Sequence, residues 1–286
     1  MLDNIRLEYY DSVDSTNDRI KERARAGEGQ GLVISAGTQT AGKGRIGRKW
    51  ESPKHDSIAT SMLLTPADIS LDAIPTITVV AAMAVRDAIY RLYGLDGKIK
   101  WPNDIVLDGK KICGILTEME MREGSVWYVV VGIGVNVHNK SFDEEIAFKA
   151  TSVDLELIKA GRGTETGHRN ELTKAIWESF KKYYNIFITT QDMSGLKEEY
   201  ERNLANLGER VRIEAQENSY EAIAKGINVK GELLVEVEGK EQIIRTGEVS
   251  VRGIYGYVLW KKQFYAAPAA TPKNFISILN SRAYLQ

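Results

Sequence analysis

Cysteine is almost missing from this chain: 286 residues contain one, Cys113, inside an apolar run. A single thiol excludes an internal disulfide and fits a reducing compartment, with the cytoplasm as the default expectation. Histidine is also scarce. His55, His138 and His168 lie far apart, and together with one cysteine they form no zinc-ligand spacing. Neither sign of charge is in excess. A formal net charge of −1 provides no global field to draw in DNA or a membrane, so any anion site has to be local. Met1-Leu2-Asp3-Asn4 lacks the charged and apolar regions of a signal peptide. No apolar run reaches the length expected of a bilayer span, and no internal repeat is visible. What is present, 43% hydrophobic and 27% charged residues, is an ordinary globular composition. The length exceeds that of one ordinary domain, so a large domain and a small one are expected.

The pattern of apolar residues places the elements. Residues 7–10 read as a strand. Ser15-Thr16-Asn17-Asp18 reads as a helix start, with Ser15 placed to cap, and Gly27 as its stop. Strands follow at 32–35 and 57–64. Pro75 suits the first turn of a long helix whose apolar face carries Val79, Met83, Ala84 and Ala88, and Gly94 ends it. A sheet-rich stretch follows, with strands at 98–101, 105–107, 111–120 and 126–137. Asp108-Gly109 is a strong two-residue hairpin signal within it. Alternating helices and hairpin-linked strands predict an α+β domain, a mixed sheet with helices on one face. Residues 138–165 are polar and define no clear element. Amphipathic helices are expected at about 169–187 and 196–204. From Gly208 onward five short strands, at 211–214, 221–228, 233–237, 242–245 and 249–251, predict a small β-barrel. The expected division is a catalytic domain over 1–205, a barrel over 206–260 and a tail over 261–286 that begins rich in alanine and proline.

The most informative stretch is Gln39-Thr40-Ala41-Gly42-Lys43-Gly44-Arg45-Ile46-Gly47-Arg48-Lys49-Trp50. Its glycines let backbone amides approach an anion, and its cations concentrate positive charge. Gly42, Gly44 and Gly47 match the spacing of the dinucleotide fingerprint, but Pro53 and a strand follow where that motif needs a helix. Arg48 and Lys49 stand where a Walker loop needs Lys and Ser or Thr. The loop is therefore neither of the common phosphate cradles. Two readings stay open: a solvated basic turn, or a loop that is mobile when empty and folds over bound anions, repaying its ordering entropy.

The loop resembles the glycine–arginine loop of biotin–protein ligases. Lys100-Trp101-Pro102-Asn103-Asp104 is similar to a signature of that family, and Lys111-Ile112-Cys113-Gly114-Ile115-Leu116 to the strand carrying its central lysine. Gly132-Ile133-Gly134-Val135-Asn136-Val137, Ser15-Thr16-Asn17 and Gly247-Glu248-Val249-Ser250-Val251-Arg252 resemble further motifs in the same order. The likeness runs over roughly residues 5–260. Lys43 departs from it, standing where better-known members carry the loop's first arginine, and it lacks the planar fork of a guanidinium. The tail beyond Tyr257 has no counterpart. No winged helix precedes the first strand, so the resemblance points to the monofunctional type, without DNA binding by that route.

The resemblance implies a class II synthetase-like catalytic domain with a small C-terminal SH3-like β-barrel. It implies that biotin carboxylate attacks the α-phosphorus of ATP to form biotinyl-5'-AMP and pyrophosphate. A lysine of a biotin carboxyl carrier domain then takes the biotinyl group. ATP, Mg²⁺ and biotin are the implied ligands, with no bound redox cofactor, and a homodimer is the implied assembly. An anion meeting a polyanion needs positioning and neutralisation more than acid–base chemistry, which suits a site rich in Lys and Arg.

By the same resemblance Lys111 and Arg45 are the catalytic candidates, both touching the carboxylate and α-phosphate. Ser15, Thr16, Asn17, Gln39, Lys43 and Gly44 join them around biotin, since its ureido ring needs fixed donors and acceptors. Arg48, Trp50, Lys100, Asn103, Asn136, Glu248 and Arg252 are candidates for ATP, and Asp104 for Mg²⁺. Alternatives from the residues themselves remain. Strand alternation puts Lys111 on the face of Cys113, Ile115 and Met119, yet a strand-end lysine can snorkel to solvent. Ser15 is explained by a cap, Trp50 by packing, Asp104 by an ion pair with a loop cation, and Glu248 with Arg252 by a salt bridge. His138 reads as a surface residue. Two rival functions are a lipoate or octanoate ligase and a non-catalytic biotin-responsive binding protein.

Overall fold

The computed structural model describes residues 1–51, 55–66, 69–163, 168–214, 219–245 and 250–252. Seven strands build the large sheet: β1 (Arg6–Tyr10), β2 (Leu32–Ala36), β3 (Ser57–Leu64), β4 (Lys98–Lys100), β5 (Asp104–Leu107), β6 (Lys110–Arg122) and β7 (Ser125–Asn136). Their order is β1-β2-β3-β7-β6-β5-β4. Only β1 and β2 run parallel, joined through helix α1 (Thr16–Arg25); the other pairs are antiparallel. The sheet is mixed, as the patterning predicts.

Helix α2 (Ile74–Tyr93) packs against α5 (Arg169–Thr190), and together they cover one face. Pro75 lies in the first turn of α2, where no amide hydrogen is missed. Gly94 stops it at φ 65°, donating its N–H to the Tyr90 carbonyl. The stretch Leu71–Tyr93 is long and apolar enough, by length and composition alone, to cross a membrane, which corrects the expectation that none is. Its apolar window is 72% buried inside the protein, as a core helix should be. Val33, Met62, Val129 and Val131 face α2 and α5, each contributing about 1.5–3 kcal/mol of burial. Trp177 of α5 ties this layer to the sheet, donating Nε1–H to Thr60 Oγ1 at 2.9 Å.

The opposite face is covered by α1. Ile20 and Ala24 pack there on Leu32, Ile34, Leu63, Tyr128 and Val130, the residues that alternate with those facing α2. The expectation of helices on one face thus holds for the two long helices and fails for α1. A period of 3.6 shows that a helix has an apolar stripe but not which side of a sheet receives it. The polar 138–165 region contains two short helices, α3 (Glu144–Ala147) and α4 (Val153–Lys159). A further short helix, α6 (Lys197–Arg202), precedes the second sheet.

That sheet has five antiparallel strands: β8 (Arg210–Glu214), β9 (Ser219–Ile227), β10 (Leu233–Val237), β11 (Lys240–Ile244) and β12 (Ser250–Arg252), in the order β11-β10-β9-β8-β12. It is seated on the large domain through Trp101, whose Nε1–H donates to the Gly231 carbonyl at 2.9 Å. Thr76 Oγ1 donates to the Lys230 carbonyl at 2.6 Å beside it. The tail expected at 261–286 lies outside the described residues, as does Glu248.

Candidate active site

The cleft opens on the α1 side of the sheet, where β6 and β7 present glycines. A Cβ on Gly132 would stand 2.1 Å from Asn17 Oδ1, and one on Gly134 would stand 2.3 Å from Trp50 Cε2. The floor must therefore be bare backbone for the Asn17 carboxamide and the Trp50 indole to lie against it. Among the sequence candidates, Ser15, Thr16, Asn17, Gln39, Lys43, Gly44, Arg45, Trp50, Asn103 and Lys111 all line this one cleft.

Lys111 reaches it by a route that alternation does not foresee. The β5–β6 register shifts, pairing Val106 with Lys111 and Ile105 with Cys113, so Ile112 is an extra residue in β6. Lys111 consequently leaves the Cys113 face. Its Nζ would stand 3.0 Å from a Cβ on Gly114, on the cleft side, while Ile112 and Cys113 are both fully buried in the core. Burial pushes the Cys113 thiol pKa well up, since nothing there solvates a thiolate.

A cationic cluster surrounds one carboxylate. Lys111 Nζ lies 2.6 Å from Asp104 Oδ1, and Lys100 Nζ lies 3.6 Å from Asp104 Oδ2. Arg45 donates through Nη1 to Asn103 Oδ1 at 2.9 Å, and Asn103 donates through Nδ2 to the Ile115 carbonyl at 3.1 Å. Burial raises the Asp104 pKa, but the charges of Lys111, Lys100 and Arg45 outweigh it and hold the carboxyl below its usual range. Burial likewise pulls Arg45 down, partly opposed by Asp104. Among the described residues, three cations face this one carboxylate, an arrangement that suits a carboxylate or phosphate ligand.

The glycine-rich loop is a small hairpin. Gly44 N–H donates to the Arg48 carbonyl at 2.7 Å and Trp50 N–H to the Gly42 carbonyl at 3.0 Å. At its tip Ile46 is 67% exposed with φ 55° and ψ 47°, a left-handed conformation that strains a β-branched residue. Lys43 turns to α1, where its Nζ pairs with Asp18 Oδ2 at 2.7 Å. That hydrogen bond raises the Lys43 pKa. Trp50 lies beside Lys111, whose Nζ is 5.7 Å from the ring centroid, and its buried Nε1–H has no hydrogen-bond partner among the described residues.

The start of α1 supplies oxygen atoms. Ser15 occupies the N-cap position, yet its side chain makes no cap hydrogen bond, so capping does not account for it. Four oxygens form a chain: Gln39 Oε1 to Thr16 Oγ1 at 3.0 Å, Thr16 Oγ1 to Ser61 Oγ at 2.7 Å, and Ser61 Oγ to Asn17 Oδ1 at 2.6 Å. Three links share only the two hydroxyl hydrogens of Thr16 and Ser61. Thr16 Oγ1 donates to Gln39 Oε1, and Ser61 Oγ has one hydrogen for both Thr16 Oγ1 and Asn17 Oδ1, so one link is left without a hydrogen. Gln39 Oε1 already accepts the Thr16 N–H at 2.8 Å. This corner of the cleft has lone pairs to spare and calls for N–H groups from a ligand.

Other candidates sit elsewhere. Arg48 is exposed on the hairpin. Lys100 and Asp104 lie behind the lining residues. Asn136 is buried away from the cleft, donating through Nδ2 to the Thr151 carbonyl at 3.0 Å. His138 is not a bare surface residue: its Nδ1 lies 3.0 Å from Asp154 Oδ2. The side chain of Arg252 and all of Glu248 lie outside what is described. The carboxylate of Asp104, the Mg²⁺ candidate, faces the ammonium groups of Lys111 and Lys100. Among the described residues no three His, Cys, Asp or Glu side chains converge on a cation site. Sequence reading missed Ser61 and the glycine floor. A serine inside the buried run of β3 was the available signal.

Residues 9–136 match the biotin/lipoate A/B protein ligase family, and residues 207–252 match the biotin protein ligase C terminal domain. The bifunctional ligase/repressor BirA of Bacillus spizizenii is 35% identical over 232 residues, covering 81% of this chain and 70% of that one. The biotin–[acetyl-CoA-carboxylase] ligase of Paracoccus denitrificans is 30% identical over 252 residues, covering 84% of this chain and 98% of its own. A solved structure of the biotin protein ligase from Aquifex aeolicus in complex with biotin and ATP superposes with a TM-score of 0.72 at 28% identity, covering 86% of this chain and 98% of that one. The chain belongs to the biotin protein ligases of the biotin/lipoate A/B protein ligase family.

Proposed function

We propose that this protein condenses biotin with ATP and transfers the biotinyl group to a lysine of a carboxyl carrier domain. In the first step a biotin carboxylate oxygen bonds to the α-phosphorus and pyrophosphate leaves. In the second, the neutral ε-amine of the acceptor lysine attacks the acyl carbon, AMP leaves and the amine gives up a proton. Lys111, Lys100 and Arg45 neutralise the two acids where they meet, and the Gly42 to Trp50 hairpin closes the reacting centre from water. Magnesium enters with the nucleotide as part of the substrate, held mainly by its phosphates.

The observation that carries biotin over lipoate is the hydrogen-poor oxygen chain of Gln39, Thr16, Ser61 and Asn17. A ureido ring brings two N–H donors to it; a dithiolane ring brings none. The reading includes a homodimer, supported by family likeness, and a cytoplasmic location, supported by the one free thiol. Mass spectrometry of a carboxyl carrier domain incubated with the protein, ATP, Mg²⁺ and either vitamin tests it. The expected result is one biotinyl adduct on one lysine and no lipoyl adduct.

A further inference from the structure

The Asn17 carboxamide lies flat on the Gly132 backbone, and exchanging its two ends would turn an acceptor into a donor at the wall of the cleft. Glu118 of β6 is the main group opposing that exchange, with the Leu116 carbonyl a longer second acceptor at 3.5 Å. Asn17 Nδ2 donates to Glu118 Oε2 at 2.7 Å, while the other carboxylate oxygen pairs with Lys21 Nζ at 2.6 Å. A carboxylate held by an ammonium only accepts hydrogen bonds, so Nδ2 must face Glu118 and Oδ1 must join the oxygen chain through Ser61. The same ionic thread continues from Lys21 to Asp18 at 3.5 Å and from Asp18 to Lys43 of the hairpin at 2.7 Å.

We propose that Glu118 is a positioning residue that sets ligand specificity: by locking the orientation of Asn17 it makes this corner of the cleft accept hydrogen bonds only, and so selects a ring that presents N–H groups. This rests on the reading of biotin as substrate. Glu118 touches no ligand in that scheme and acts through Asn17 alone.

The test compares Glu118→Gln with the wild-type protein. The carboxamide that replaces the carboxylate can face Asn17 with either its oxygen or its nitrogen, so only the 3.5 Å contact with the Leu116 carbonyl then opposes reversal of the Asn17 amide. The Kd for biotin, read by calorimetry, is expected to rise about tenfold, while KM for ATP stays within about twofold. Preference for biotin over an analogue methylated on both ureido nitrogens should fall by a similar factor. Adding Asn17→Asp to Glu118→Gln should recover most of the affinity. The double variant exchanges the two groups: the helix start then presents oxygen at either end, and the new carboxamide on β6 donates its N–H to one of them. Glu120→Gln, which alters a carboxylate paired instead with Arg25 and Tyr128, is expected to bind biotin nearly as the wild type does.

The proposal is overturned if Glu118→Gln keeps both affinity and preference. It is equally overturned if Glu120→Gln reproduces the loss, or if Asn17→Asp does not rescue. Failure of the wild-type protein to form biotinyl-adenylate at all would overturn the biotin reading instead, so the two failures are told apart.

Discussion

Lys111 and Asp104 meet at 2.6 Å across the β5–β6 ladder, an ammonium and a carboxylate brought together by one extra residue in β6. Without that bulge Lys111 would point into the core beside Cys113. With it, the carboxylate holds the ammonium at the cleft wall while Lys100 and Arg45 keep the cluster cationic.

Lys111→Ala should lower biotin-dependent ATP–pyrophosphate exchange by at least about 100-fold, the scale of losing one preorganised contact to developing charge. Asp104 retains Lys100 and Arg45, so the loss of folding stability should be limited to about 1–3 kcal/mol. Exchange assays and urea titration separate the two effects, and normal exchange would remove Lys111 from the site.

Because the Asp104 pKa is lowered in the folded protein, its contribution to stability is complete above the unfolded carboxylate value of about 4. It disappears as the pH falls from there through the lower folded value. Urea midpoints should therefore be flat in this respect from about pH 8 to about 5 and drop below about 4. The acid drop should be smaller in Asp104→Asn, whose midpoint is lower at neutral pH and approaches that of the wild type in acid.

Arg45→Gly removes a guanidinium that joins the hairpin to Asn103. Biotinyl-adenylate should then escape before the acceptor docks, labelling bystander lysines. Proteomic mapping of biotinylated sites checks this; retention of the adenylate and unchanged selectivity would show that the hairpin does not shield it.

Cys113 should resist alkylation in the native protein. Its side chain is fully buried and its thiol pKa is raised, leaving neither access nor thiolate. Iodoacetamide labelling should appear only with global unfolding in urea.

The α+β architecture and most of the site could be read from the sequence because the loop, Lys100 to Asp104, Lys111 and the Ser15 to Asn17 helix start each carry a local pattern. Where the reading failed, the cause lay between segments. A bulge is a relation between two strands, so the face of Lys111 was invisible in β6 alone. The side of the sheet that α1 covers is likewise set by the crossover from β1 to β2. Ser61 and Glu118 matter only because Asn17 lies between them, 44 and 101 residues away in sequence. The role of Ser15 was obscured by a plausible cap that the side chain does not make.

The most direct measurement is a crystal structure with biotin and a non-hydrolysable ATP analogue bound together. The account expects the biotin carboxylate and the α-phosphate to share contacts with Lys111 and Arg45, and the ureido N–H groups to meet Thr16 and Asn17 oxygens. Ligands bound elsewhere, or those cations turned away from both acids, would contradict it.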